Sequence, residues 1–219
     1  MRRECLGTCR LQGRRYVIQN QLGLRQPVHG YLWKTEAWIS DCQLPARRFA
    51  NMAIEGEIAL RLERNVPTTL LADLDNVADF VECWFPVIEL HNHVFRGRKP
   101  TSQELVAGNA IQAGFISPVG PGERDLASLD RAEIRIEIDG GLVEHKSVVS
   151  LPNGPLGSLR WLVSALTRHG LNLKKGDVVL TGSPGRLIPI KAGSSVVVRS
   201  ARQQVHFFCA EERAAEPGG

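Results

Sequence analysis

Residues 54–62 read Ile-Glu-Gly-Glu-Ile-Ala-Leu-Arg-Leu. The near-alternation of apolar and other residues is the period of a β-strand. Ile58, Leu60 and Leu62 share one face; Glu55 and Glu57 share the other. Residues two apart on a strand lie about 6.6 Å apart. Two carboxylates on one face repel, by about 4 kcal/mol at 4 Å and an effective dielectric of about 20. An exposed strand face carries such a pair without difficulty. A cation between them removes that cost, and oxygen-only ligands with room for water suit Mg²⁺ or Mn²⁺.

Working outward, Asp73 to Trp84 predicts a helix, with Leu74, Val77, Phe80, Val81 and Trp84 at amphipathic spacing. Pro86 ends it, and Val87 to Leu90 starts a short strand. Glu89 stands there among Phe85, Val87, Ile88 and Leu90, where an unpaired carboxylate is expensive to bury. Ala132 to Ser150 predicts a hairpin turning at Asp139-Gly140-Gly141. Asn153-Gly154-Pro155 opens a second helix with Leu159, Leu162, Val163 and Leu166 on its buried face and Gly170 as its left-handed cap. Lys175-Gly176-Asp177 turns into the strand Val178–Leu180, and strand-like stretches follow at 187–190, 195–198 and 204–209. The sum is an α+β chain, β-rich, with two main helices packed on the sheet.

The 219 residues are 43% apolar and 23% charged, enough for one sizeable core without staples. The net charge of +4 is mild, with Arg2, Arg3, Arg10, Arg14 and Arg15 concentrated at the start. No basic stripe is interleaved with aromatics, which argues against nucleic acid as a partner. No apolar run approaches the ~20 residues of a membrane span. The five cysteines are odd in number with unrepeated spacing, so free thiols in a reducing cytoplasm are expected, without a zinc site. Residues 211–219, charged and rich in Gly and Pro, read as a loose tail.

Three stretches together carry a resemblance: Ile54-Glu55-Gly56-Glu57-Ile58-Ala59-Leu60, Pro86-Val87-Ile88-Glu89-Leu90, and Gly176-Asp177-Val178-Val179-Leu180-Thr181-Gly182-Ser183. In order and spacing they resemble motifs of the fumarylacetoacetate hydrolase superfamily. The branch they are most similar to holds the 2-keto-4-pentenoate hydratases and 4-oxalocrotonate decarboxylases. Gln26-Pro27 with Gly30, Val106-Ala107-Gly108-Asn109-Ala110, and Pro155-Leu156 with Trp161-Leu162 agree. The resemblance implies a rolled, mixed sheet or barrel flanked by helices over residues 20–210, preceded by a short basic segment, 1–19. It implies one Mg²⁺ or Mn²⁺ held by Glu55, Glu57 and Glu89, and a small 2-oxo acid chelated through its oxo oxygen and carboxylate. It places Asn109, Thr181, Gly182 and Ser183 beside that substrate. It also implies a homo-oligomer, dimer or larger, with a related subunit as an alternative partner.

The hydratase branch carries a lysine in a G-x-K-x-G-type stretch and an acid after Gln-Pro. Here Gly13-Arg14-Arg15 has no lysine, and Val28-His29 follows Pro27. The chain also begins roughly fifty residues later than such enzymes do, so the family's N-terminal lobe is expected to be missing or replaced. His91, two residues after Glu89, and His29, close to the family acid, are the candidate proton-transfer groups. The family's Gly-His-Pro turn reads Asn153-Gly154-Pro155. The expected function is a metal-dependent hydratase of the 2-hydroxypenta-2,4-dienoate type, or a decarboxylase of the 4-oxalocrotonate type, in aromatic catabolism. In both, a metal ion stabilises an enolate. The alternatives are an acylpyruvate-type hydrolase or oxaloacetate-type decarboxylase, and a catalytically degenerate member acting as a binding partner.

Overall fold

The computed structural model describes residues 5–12, 27–67, 74–96 and 100–211. Gly13-Arg14-Arg15, Gln26 and residues 212–219 of the expected tail lie outside the described residues. In chain order the elements are β1 (Cys5–Gln12), β2 (Val28–Trp33), β3 (Ala37–Ile39), β4 (Cys42–Pro45), β5 (Met52–Leu62), β6 (Val81–Asn92), α1 (Ser102–Ala107), β7 (Gln112–Ser117), β8 (Glu133–Ile138), β9 (Gly141–Ser147), α2 (Gly154–Thr167), β10 (Val178–Leu180), β11 (Ile188–Pro189), β12 (Ser195–Ser200) and β13 (Gln203–Ala210). Part of the basic N-terminal segment is thus a strand, β1, parallel to β10 and antiparallel to β2.

The chain is α+β with two mixed sheets. The larger runs β2-β1-β10-β5-β6-β7-β3 with β11 also on β5; the smaller runs β4-β13-β12-β8-β9. Among the described residues both strand orders are open. No helix among the described residues is long and apolar enough to cross a membrane.

β5 and β6 are the spine of the larger sheet, paired antiparallel from Met52↔Asn92 to Leu62↔Val81. Alternation sorts their residues. Ile54, Ile58, Leu60, Trp84, Ile88 and Leu90 enter the main core, with Ile134, Ile136, Val196, Val198 and Phe207 of the smaller sheet. Leu32, Ala59, Phe85, Val87, Phe115 and Leu180 form a separate apolar layer, on the face that carries Glu55, Glu57 and Glu89. Gly56 lets the sheets approach: a Cβ there would lie 2.7 Å from Ile134 Cγ2 and 3.0 Å from Ile136 Cδ1.

The helix expected at 73–84 is a correction. Leu74–Phe80 is a 3₁₀ helix, and Val81 already begins a twelve-residue strand. Val81, Trp84 and Phe80 satisfy a helical stripe, but Trp84 pairs with Leu60 and Val81 with Leu62. Long pairing with β5 overrides the local pattern. Among the described residues one long α-helix therefore packs on the sheet where two were expected. It is α2, whose Leu159, Leu162, Val163 and Leu166 are buried. Its end is closed by Leu171 N–H donating to the Leu166 carbonyl at 3.0 Å, with Gly170 at φ 68°.

The turn before β10 contains a buried carboxylate. Asp177 is 5% exposed, and Oδ2 accepts the Lys174 N–H at 2.8 Å. Burial pushes its pKa up in spite of that bond and the Lys174 charge. Ionised Asp177 is therefore disfavoured in the folded chain relative to the unfolded one. It lowers stability above its folded pKa, and this cost fades as pH falls to the ordinary aspartate range near about 4. Asp177→Asn keeps an acceptor and removes the charge. Urea denaturation should show the variant more stable than wild type at pH 7, the gap closing toward pH 4; a less stable variant at pH 7 contradicts this.

Candidate metal centre

Glu55 and Glu89 are register partners on β5 and β6. They face one another across the strand pair, where directly opposed Cβ atoms are about 5 Å apart. Glu57 lies one pleat further along β5 and His91 one pleat further along β6, opposite Ala53. Glu55 is 1% exposed, and Glu57, Glu89 and His91 are fully buried. The alternative of an exposed glutamate face is thus excluded: β5 is buried on both sides.

The ligand atoms of Glu55, Glu89 and His91 all lie within 4.8 Å of one another. His91 Nε2 is 3.2 Å from Glu55 Oε2 and 3.5 Å from Glu89 Oε2. The compact trio therefore shares Glu55 and Glu89 with the sequence-derived one and has His91 as its third member. Glu57 is turned to the loop after β10, where its Oε2 accepts the Gly182 N–H at 2.9 Å. Glu55 Oε1 and His91 Nδ1 are buried and have no hydrogen-bond partner among the described residues. A buried carboxylate oxygen in that condition costs several kcal/mol unless a cation meets it. Buried carboxylate oxygens of Glu55, Glu57 and Glu89 on one face, with the His91 imidazole beside them, fit a divalent ion such as Mg²⁺ or Mn²⁺.

The loop 181–186 lies along β5. Thr181 Oγ1 donates to the Ile58 carbonyl at 2.9 Å and Ser183 Oγ to the Gly56 carbonyl at 3.4 Å, while Gly182 takes φ +90°. This sets the Gly182 N–H on Glu57, with Thr181 and Ser183 fastened to the β5 backbone on either side. The apolar layer of Leu32, Ala59, Phe85, Val87, Phe115 and Leu180 continues the same face and keeps water from one side of the cluster.

Two expected residues are not brought there. On β2, Val28, Gly30 and Leu32 are buried and the alternate residues less so. Leu32 joins the apolar layer, so His29 projects from the opposite face. Its ring meets Trp161 edge-on at 6.1 Å, in a cavity of about 470 Å³ lined also by Tyr31, Arg168 and His169. Burial, then the His169 charge, lowers its pKa. Asn109 gives its amide to the Tyr31 backbone, accepting N–H at 2.8 Å and donating to the carbonyl at 2.8 Å. It opens three successive left-handed residues, with φ 50°, 54° and 58° through Ile111. Its amide braces β2. His93, just past β6, packs on Phe95 with centroids 6.0 Å apart.

A further buried carboxylate near the loop was not singled out in the sequence. Glu144 on β9 is 8% exposed and accepts the Arg186 N–H at 3.4 Å.

Residues 16–206 match the family described as Fumarylacetoacetate (FAA) hydrolase C-terminal. The chain is similar to a 2-keto-4-pentenoate hydratase of Paraburkholderia phymatum, 28% identical over 182 residues, covering 82% of this chain and 68% of the relative. In fold it is similar to 4-oxalocrotonate decarboxylase from Pseudomonas putida G7, solved with magnesium and adipate. The TM-score is 0.85 at 19% identity, covering 94% of this chain and 78% of the other. It is also similar to fumarylpyruvate hydrolase from Pseudomonas aeruginosa, solved with Mn²⁺ and pyruvate, with a TM-score of 0.71 at 14% identity, covering 97% and 91%.

Proposed function

The chain belongs to the fumarylacetoacetate hydrolase family, and from that membership we propose that it is a divalent-metal-dependent lyase acting on a small 2-oxo acid. The proposed reaction is hydration of a 2-hydroxypenta-2,4-dienoate-type substrate or decarboxylation of a 4-oxalocrotonate-type one, in aromatic catabolism. The observation that carries this is the register pair Glu55–Glu89, buried, with His91 Nε2 within 3.5 Å of both.

We assign the ion, Mg²⁺ or Mn²⁺, to Glu55, Glu57 and Glu89. Bound there, it would supply Lewis-acid stabilisation of the charge that develops on the 2-oxo group, worth several kcal/mol. The chain's own groups do the rest. Gly182 N–H orients the Glu57 carboxylate. Thr181 and Ser183 fix that loop on β5. The apolar layer excludes water and strengthens each electrostatic contact inside. His91 Nε2, against Glu55 Oε2, is where a proton is held and passed. Where the family has its lysine and acid the sequence reads Gly13-Arg14-Arg15 and Val28-His29, and His91 takes their role.

His91 next to the carboxylates also favours a second reading, hydrolysis or decarboxylation of an acylpyruvate or oxaloacetate. The assay separates them. Metal-loaded protein is offered 2-hydroxypenta-2,4-dienoate, 4-oxalocrotonate, an acylpyruvate and oxaloacetate. Turnover of either of the first two, abolished by chelator, supports the first reading. Turnover of only the last two supports the second, and turnover of none rejects both. His91→Asn should keep Mn²⁺ binding while turnover falls by about a hundredfold. Loss of Mn²⁺ with turnover would make His91 a ligand. The protein is further proposed to work in the cytoplasm as a homo-oligomer, which light scattering tests.

A further inference from the structure

We infer that Glu144 is a positioning residue for this centre: from the smaller sheet it clamps the far end of the loop whose Gly182 N–H holds Glu57. The inference rests on the reading of the glutamate cluster as the working site.

β9 buries the wrong residue for a strand held by apolar packing. Leu142 is 62% and Val143 37% exposed, while Glu144, next in sequence, is 8% exposed. The hydrophobic effect does not account for that choice. Glu144 pairs with Ile136 and so shares the inward face of β8. Its Oε2 accepts the Arg186 N–H at 3.4 Å, and its Oε1 is 3.8 Å from Arg186 Nε. Those contacts do not offset the burial, which raises the carboxyl pKa, with the charge of Glu55 adding to the rise.

The loop is cut to fit this carboxylate. A Cβ on Gly185 would sit 1.6 Å from Glu144 Oε2 and 2.4 Å from its Cδ. Gly185 is not among the positive-φ glycines, so its lack of a side chain answers the close approach of Glu144. From there the hydrogen bonds run inward. Gly185 N–H donates to Ser183 Oγ at 3.0 Å, Ser183 Oγ donates to the Gly56 carbonyl, and Gly182 N–H donates to Glu57 Oε2. The loop is thus held on β5 at one end and by Glu144 at the other. Outer partners of this kind orient the groups that hold an ion, and their loss costs about 10–100-fold in affinity.

The test reads the metal-free protein first. By NMR, Gly182 amide exchange should be about tenfold faster in Glu144→Ala than in wild type and within about threefold of wild type in Glu144→Gln. Amides of β8 and β12 should be unchanged, which separates loop loosening from general destabilisation. Gly185→Ala should loosen the loop similarly. Because all three nearest obstacles to its Cβ belong to Glu144, the double variant should be no worse than Glu144→Ala alone. Mn²⁺ titration should show about tenfold weaker binding in Glu144→Ala. Unchanged Gly182 exchange in Glu144→Ala, or strictly additive losses in the double variant, overturns the clamp. If Glu144→Ala does not fold, Gly185→Ala and Glu144→Gln decide by the same exchange criterion. If wild type binds no Mn²⁺ while the loop still loosens, the clamp stands and the metal assignment falls.

Discussion

Glu55→Gln should make the metal-free protein more stable and make it indifferent to Mn²⁺. Glu55 and Glu89 are opposed on neighbouring strands, both buried, with Glu57 on the same face. At about 5 Å and an effective dielectric of about 20, two such charges repel by about 3 kcal/mol. One imidazole, His91, cannot balance three carboxylates. A glutamine at 55 removes one charge and can offer its N–H to Glu89. Wild type should gain about 2.7 kcal/mol at a Mn²⁺ concentration a hundred times its Kd; the variant should gain nothing. Turnover should fall on the order of a thousandfold, the loss of several kcal/mol of charge stabilisation. Thermal melts with and without MnCl₂ give the first two results and a substrate assay the third. A variant less stable without metal, yet still stabilised by Mn²⁺, contradicts the account.

Gly114→Ala should cause the largest loss of stability, about 4 kcal/mol by urea denaturation. Gly114 takes φ +131°, and a Cβ there would lie 2.0 Å from Trp38 Cζ3 and 2.4 Å from the Glu36 carbonyl oxygen. Neither neighbour yields easily. Trp38 pairs with Ile116 on β7 and lies under the Arg48 guanidinium at 4.9 Å. The Glu36 oxygen is backbone, immediately before Ala37, which pairs with Phe115. Overpacking costs about 1–3 kcal/mol, and a side chain in a conformation reserved for glycine adds about 1–3 more. The effect should reach the site. Gly114 pairs with Leu90, next to the bulge after which His91 pairs with Gln112. A variant within about 1 kcal/mol of wild type would show that β3 moves aside freely.

The parts of this molecule legible in the sequence are those where local pattern and long-range pairing agree. The alternation of Ile54 to Leu62 gave both the strand and the shared face of Glu55 and Glu57. The hairpin at Asp139-Gly140, the helix after Asn153 and its Gly170 cap followed from turn and cap chemistry. The segment 73–84 misled because Phe80, Val81 and Trp84 fit a helical stripe as well as a strand. Only pairing with β5 decides between them, and no local window contains it. His29 was singled out for its place after Gln26-Pro27, but the face it takes depends on where β2 joins the sheet. Glu144 shows the same limit at one residue. Counting back from the two-residue turn sets it opposite Arg135, on the solvent face. A bulge between Ile136 and Glu137 leaves Val143 as the extra residue, so Glu144 pairs with Ile136 and turns inward. A one-residue shift reverses every side chain beyond it, and nothing in LVEHKS announces the bulge.

The most direct measurement is anomalous X-ray scattering from crystals grown with MnCl₂ and pyruvate. The account predicts one strong peak between β5 and β6, with oxygens of Glu55, Glu57 and Glu89 at about 2.0–2.3 Å and His91 Nε2 adjacent. A peak elsewhere with none at the glutamates, or glutamate oxygens left apart at saturating Mn²⁺, would contradict it.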